Sequence, residues 1–222
     1  MSRPIKTKRG QTNIIPVPLQ QHRLVKRVKI DAMESSGLTI FETAIGPCGI
    51  AWGEKGIVGV QLPEATAAAT RARLQKRFPL AQERAAPAPV QEVIDRIIAL
   101  LAGEKIDFSD APLDMEGLPT LHRQVYAITL EIPPGETMTY GAIARRLGDV
   151  SLSQAVGQAL GKNPFPIIVP CHRVLGTGGK TGGFSANGGA ETKLRMLTIE
   201  RARTSDEPDL FGNLPLAMKP RG

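Results

Sequence analysis

Apolar positions in the first third of the chain fall into short runs. Leu38–Ala44, Ile50–Gly53 and Ile57–Leu62 are apolar segments set between turn-forming residues. Gly46-Pro47-Cys48-Gly49 reads as the first turn and Glu54-Lys55-Gly56 as the second, so the pattern predicts three strands with tight connections. The spacing then changes. Ala65–Phe78 is Ala-rich and predicts a helix by propensity. Residues 79–89, with Pro79, Pro87 and Pro89, predict a connector. Val90, Val93, Ile94, Ile97, Ile98 and Leu101 recur at helical spacing until Gly103. Together these elements predict a small α/β domain over residues 37–112.

A second unit, residues 117–201, reads as mostly helical. Pro119-Thr120 opens a helix with Leu121, Val125 and Ile128 on one face, and Pro133-Pro134-Gly135 lies beyond its end. Thr139 is placed to cap a short helix, Tyr140–Leu147, which Gly148 closes. A further helix follows over Ser153–Lys162. Ile167-Ile168-Val169 is an apolar, strand-like run, and Gly176–Gly189 is a Gly-rich loop. Glu191–Arg201 predicts a last helix with Leu194 and Leu197 facing inward. The fold class is therefore α/β in the broad α+β sense, with the strands gathered in the N-terminal domain.

Composition narrows the setting. The 222 residues are 41% hydrophobic and 22% charged, and no apolar run reaches the ~20 residues of a membrane helix. Two cysteines and no apolar export segment argue against a disulfide framework and for a reducing cytoplasm. His22, His122 and Cys48 show no ligand spacing, so neither metal nor cofactor is expected.

The net charge of +7 sits mostly at the start of the chain. Residues 1–36 hold eight Lys/Arg against Asp31 and Glu34; the remainder is close to balanced. This segment reads as a disordered basic extension that can attract phosphate, with Met33 as an alternative start. Residues 202–222 read as a flexible tail.

The candidate chemistry lies in the second unit. Pro170-Cys171-His172-Arg173-Val174 directly follows the apolar run. A Cys there can be a nucleophile at the floor of a cleft, if a base or a positive field favours its thiolate. It can equally be a buried structural thiol, and adjacency to His172 alone does not decide. The helix pair Tyr140–Leu147 and Ser153–Lys162 reads as a helix-turn-helix or as an ordinary helical hairpin. The outer face of its second helix carries Ser153, Gln154, Gly157, Gln158 and Gly161, small enough to approach DNA closely. Asn163-Pro164 forms a turn between that helix and the Cys171 segment.

With those residues in view, 117–200 resembles the C-terminal domain of the O6-alkylguanine-DNA alkyltransferases. The matching stretches are Arg123-Gln124-Val125, Gly135 to Tyr140, Ala155-Val156-Gly157, Asn163-Pro164 and Pro170 to Val174, with Lys193, Leu197 and Glu200 behind them. The resemblance implies repair of double-stranded DNA by one irreversible transfer of an alkyl group from O6-alkylguanine, or O4-alkylthymine, to Cys171. His172 would act as base through a water, oriented by Glu200. Asn163 would brace the turn, and Tyr140 would assist rotation of the nucleotide and departure of guanine. Gln154, Ala155, Gly157, Val174 and Ser185 would meet DNA or the flipped base. Leu160, Pro166 and Phe184 would line the alkyl pocket, and Arg173 would pair with an acid in the fold. The resemblance also implies a monomer acting at the nucleoid.

Three features depart from the family or extend beyond it. Gln154 stands where relatives usually have the Arg that fills the space left by the flipped base. Phe184 replaces a frequent Tyr, which favours larger apolar alkyl groups. Asp209-Leu210-Phe211 resembles the end of sliding-clamp-binding peptides but lacks their leading Gln. A non-catalytic alkyltransferase-like lesion binder is the alternative function, although such proteins typically lack the acceptor Cys.

Overall fold

The computed structural model describes residues 36–181 and 189–202. The basic extension, the clamp-like Asp209-Leu210-Phe211, Phe184 and Ser185 lie outside the described residues. Strands β1 (Gly37–Phe41), β2 (Cys48–Gly53), β3 (Gly56–Gln61) and β4 (Gln82–Glu83) form one sheet in the order β3-β2-β1-β4. The first three pair antiparallel, and β4 joins β1 in parallel. The two residues of β4 lie in the stretch expected to be a plain connector.

β1 stops at Phe41 rather than Ala44. Thr43 Oγ1 donates to Gly46 O at 2.6 Å and accepts from Ile45 N at 3.3 Å, turning the chain early. Cys48 consequently leaves the turn and opens β2 opposite Phe41, fully buried. Gly56, at φ 131°, has no room for a side chain: an added Cβ would lie 2.3 Å from Pro112 O.

The sheet has two covered faces, as strand alternation requires. Leu38 and Ala51 meet Leu74 of α1 (Ala67–Arg77), which Thr66 caps at the Ala69 amide. Ile50, Trp52, Ile57 and Val60 join Val93, Ile94 and Ile97 of α2 (Ala88–Leu101) in the larger core. Ile98, although in the helical pattern, sits at the rim.

That larger core continues into the second half. Helix α3 (Thr120–Leu130) buries Val125 and Tyr126, and the Tyr126 hydroxyl donates to Ala159 O at 2.8 Å. Helix α4 (Tyr140–Arg146) is capped by Thr139 and closed at Gly148 by Asp149 N to Ala144 O at 3.2 Å, as anticipated. A 3₁₀ turn, Val150–Leu152, leads into α5 (Ser153–Gly161). α5 buries Val156, Ala159 and Leu160 and leaves Gln154 and Gln158 exposed. Two short strands, β5 (Met138–Thr139) and β6 (Val174–Leu175), pair in parallel.

Two further expectations are corrected. The run Ile167–Val169 forms a turn, not a strand. Pro164 and Pro166 remove two ladder donors, and Val169 N instead bonds Phe165 O at 2.8 Å. In α6 (Ala190–Ile199), Leu197 faces inward but Leu194 is 37% exposed. The inward stripe is Lys193, Met196, Leu197 and Glu200, because buried polar contacts of Lys193 and Glu200 fix the rotation of the helix.

The outer edge of β3 is where the halves meet. Its backbone bonds the linker through Ile57 N to Pro112 O at 2.7 Å, and the Asn163-Pro164 turn through Val60 N to Pro164 O at 2.8 Å. The sheet edge is thus covered, and the turn beneath Cys171 rests on the N-terminal sheet.

Candidate active site around Cys171

The site begins with the turn that follows α5. Asn163 Oδ1 accepts from Phe165 N and its Nδ2 donates to Val169 O, both at 2.9 Å. One side chain therefore fixes both ends of the loop that replaces the expected strand. Within that loop Ile167 adopts φ 76°, a left-handed conformation that a β-branched residue enters only under constraint. The two prolines and the Asn163 clamp supply that constraint. Cys171 then opens a 3₁₀ turn, Cys171–Arg173, with its own N–H on Val169 O at 2.7 Å.

Cys171 is 8% exposed. Burial pushes its thiol up. Opposing this are hydrogen bonding from Asn163, the positive charge of Lys193, and the backbone N–H groups of Cys171 and His172. The groups that favour thiolate are thus built around the sulfur, while its burial holds the resting thiol protonated.

Beside it lies a buried ionic network. His172 Nε2 is 2.8 Å from Glu200 Oε1. Arg173 donates Nε to Glu200 Oε2 and a terminal nitrogen to Oε1, both at 2.8 Å, and its other terminal nitrogen to Ile132 O at 2.6 Å. Burial alone would raise the Glu200 carboxyl, but the bonds from His172 and Arg173 bring it down to about 2. Burial lowers His172 below its ordinary value despite Glu200. At neutral pH Glu200 is therefore an anion and His172 is neutral. A carboxylate only accepts, so His172 must carry its proton on Nε2. Its Nδ1 is then a lone-pair acceptor, buried and with no protein partner among the described residues.

Lys193 Nζ donates to Val174 O at 2.6 Å and lies 6.0 Å from the centre of the Tyr140 ring. Burial lowers the Lys193 pKa and the charge of Cys171 opposes that shift; burial raises Tyr140. Tyr140 and Cys171 open into one cavity of about 250 Å³. Gly157, Leu160, Gly161, Lys162, Asn163 and Pro166 line it from the second half. Val60, Gln61, Leu62, Arg73 and Arg77 line it from the first.

The residues proposed from sequence are thus distributed unevenly. Cys171, Asn163, Tyr140, Leu160, Pro166 and Gly157 share the cavity. His172, Glu200 and Arg173 form the network behind it. Gln154 projects from the exposed face of α5, and neither it nor Ala155 lines the cavity. Val174 is buried, with its carbonyl already engaged by Lys193. Sequence reasoning assigned no role to Lys193, although a Lys at an inward position of α6, seven residues before Glu200, is a legible signal. It gave no indication of the wall contributed by β3 and α1.

Cys48 has none of this apparatus. Burial pushes its thiol up to about 12, and its polar neighbour is Thr43 at 3.7 Å. Treatment of the native protein with iodoacetamide and peptide mass mapping is expected to leave Cys48 unmodified. Modification of Cys48 at the rate of Cys171 would contradict this assignment.

Comparison with known proteins converges on one group. Residues 120–202 match the family model described as 6-O-methylguanine DNA methyltransferase, DNA binding domain. A methylated-DNA–protein-cysteine methyltransferase of Methanothermobacter thermautotrophicus is 33% identical over 152 residues, covering 68% of this chain and 78% of the relative. One from Mycobacterium tuberculosis is 40% identical over 125 residues, 56% of this chain and 73% of the relative. The crystal structure of Mycobacterium tuberculosis OGT in complex with DNA is also similar. It has a TM-score of 0.59 and 32% identity, covering 76% of this chain and 96% of that one.

Proposed function

The chain belongs to the methylated-DNA–protein-cysteine methyltransferase family and repairs DNA by alkyl transfer to a cysteine; we propose that Cys171 is the acceptor and O6-alkylguanine the lesion. The observation that carries the assignment is the setting of Cys171. It alone of the two cysteines shares a cavity with Tyr140 and lies beside a neutral His172 held by an ionised Glu200.

The chemistry follows from these groups. The damaged nucleotide leaves the duplex at a cost of a few kcal/mol, less for a poorly paired base. His172 Nδ1 takes the thiol proton through a water, and Glu200 stabilises the imidazolium that forms. The thiolate attacks the alkyl carbon, the carbon–O6 bond breaks, and its electron pair leaves with guanine. Tyr140, whose raised pKa keeps it protonated, donates toward the departing base. Guanine regains one proton for the one lost by the thiol. The thioether is stable and no neighbouring group among the described residues is set to cleave it, so each chain acts once; the family resemblance supports a monomer. The alkyl group lies against Leu160 and Pro166.

Intact mass after incubation with duplex DNA holding one O6-methylguanine tests the assignment. One methyl replacing one hydrogen, saturating at one per chain and mapping to the Cys171 peptide, is the expected result. Retained lesion binding with no mass change would favour the non-catalytic alternative.

Gln154 gives a second expectation. It is exposed at the start of α5, with an amide where relatives usually carry a guanidinium. The stacking and charge absent here are worth roughly 1–2 kcal/mol. Gln154→Arg should therefore speed repair of duplex substrate by about tenfold under subsaturating DNA. An unchanged single-turnover rate would refute the guanidinium argument.

A further inference from the structure

Among the described residues, the cavity that holds Cys171 is lined by three cations, Arg73, Arg77 and Lys162, and by no acidic residue. Two of them belong to α1, in the N-terminal half. Arg73 has a carboxylate partner, Glu64 at 3.1 Å. Arg77 bonds Val60 O at 2.9 Å and Gln61 Oε1 at 3.2 Å, and lies 3.5 Å from Pro164 O, but pairs with no carboxylate among the described residues. Loss of surrounding water and the nearby Arg73 charge both depress its pKa. Two guanidiniums of one helix therefore line the cavity with one carboxylate, Glu64, paired to Arg73, and Lys162 lines it from the end of α5. Such an arrangement is relieved by an anion.

We propose that α1 is part of the DNA interface, with Arg77, supported by Arg73 and Lys162, gripping a backbone phosphate beside the extruded nucleotide. This rests on the alkyltransferase reading. A base that enters this cavity brings its own phosphates to the mouth, where these cations stand. Lys162 directly follows α5, so the cluster continues the surface of α4 and α5 onto the N-terminal half. It also supplies positive charge near α5, whose Gln154 lacks it.

Counterion release makes the idea measurable. Each phosphate neutralised contributes ~0.9 to the slope of log affinity against log salt. Binding of the full chain to duplex containing O6-methylguanine should lose about one unit of slope in Arg77→Met, and affinity should fall about fivefold at low salt. Lys76→Met, exposed on the same helix but outside the cavity, should keep the wild-type slope. A wild-type slope in Arg77→Met overturns the proposal.

Free O6-benzylguanine, which carries no phosphate, separates gripping from bracing. Transfer from duplex should fall about fivefold more than transfer from the free base in Arg77→Met. Equal losses would mean that Arg77 only supports the Pro164 turn, and would also overturn the proposal. Absence of transfer by the wild-type chain would instead defeat the alkyltransferase reading itself.

Discussion

Replacing Cys171 by Ser is expected to abolish alkyl transfer while leaving binding to alkylated duplex intact. The substitution keeps size and polarity but changes the acid. A hydroxyl ionises far less readily than a thiol, and in this pocket burial raises even the thiol. The features that oppose burial, the Asn163 amide, the Lys193 charge and two backbone N–H groups, favour an anion that is already accessible. They do not bring an alcohol into range. His172 faces the same limit, since a neutral imidazole of lowered pKa is too weak a base to ionise serine appreciably. Intact mass with O6-methylguanine duplex should therefore show no adduct on Cys171→Ser, beside one per chain for the wild type. A methyl gained elsewhere by the variant would remove Cys171 as acceptor.

The pH profile of the wild type follows from the same groups. Burial lowers His172, so it stays neutral through pH 7 and protonates only below its ordinary value of 6.5. Protonation removes the Nδ1 lone pair, and transfer should slow as pH falls below that point. On the alkaline side the rate should keep rising as more thiolate forms, because the Cys171 pKa is raised from 9.0. Single-turnover rates followed downward from pH 9 to the onset of acid unfolding would show this; a rate that falls at no pH below 6.5 would exclude His172 as the proton acceptor.

Much of this site was readable in the chain because its members are local. Asn163-Pro164 and Cys171-His172 lie within ten residues, and the turn that joins them uses backbone groups of the same stretch. Glu200 was accessible through family resemblance alone. The turn at Ile167 was not. An apolar triplet looks like a buried strand, and only the two flanking prolines argued otherwise. The rotation of α6 was misread for a related reason. A hydrophobic count favours Leu194, whereas the helix turns Lys193 and Glu200 inward to satisfy Val174 O, His172 and Arg173. The α1 wall was invisible because Arg77 and Pro164 are brought together by packing of the sheet edge, across 87 residues of sequence.

Glu200→Gln should show how far that buried polar network carries stability as well as reactivity. Glu200 receives two bonds from Arg173 and one from His172, with its side chain 1% exposed. Gln keeps the shape and one acceptor but leaves the Arg173 guanidinium, itself 4% exposed, without a counterion. Breaking a buried pair from one side costs about 3–5 kcal/mol, because the remaining charge stays desolvated. Thermal unfolding should accordingly drop by on the order of 10 °C. The pH dependence separates charge from packing. The folded-state Glu200 pKa is depressed from 4.5 to about 2, so its contribution is complete above 4.5 and is lost as pH falls toward 2. The stability gap between wild type and Glu200→Gln should therefore be constant near neutrality and close through that acid window. A gap unchanged down to pH 2 would assign the loss to packing instead. Alkyl transfer should also slow in Glu200→Gln, since His172 would form its imidazolium without a carboxylate to stabilise it. A variant that is destabilised yet transfers at the wild-type rate would keep Glu200 as the partner of Arg173 and remove it from the proton path.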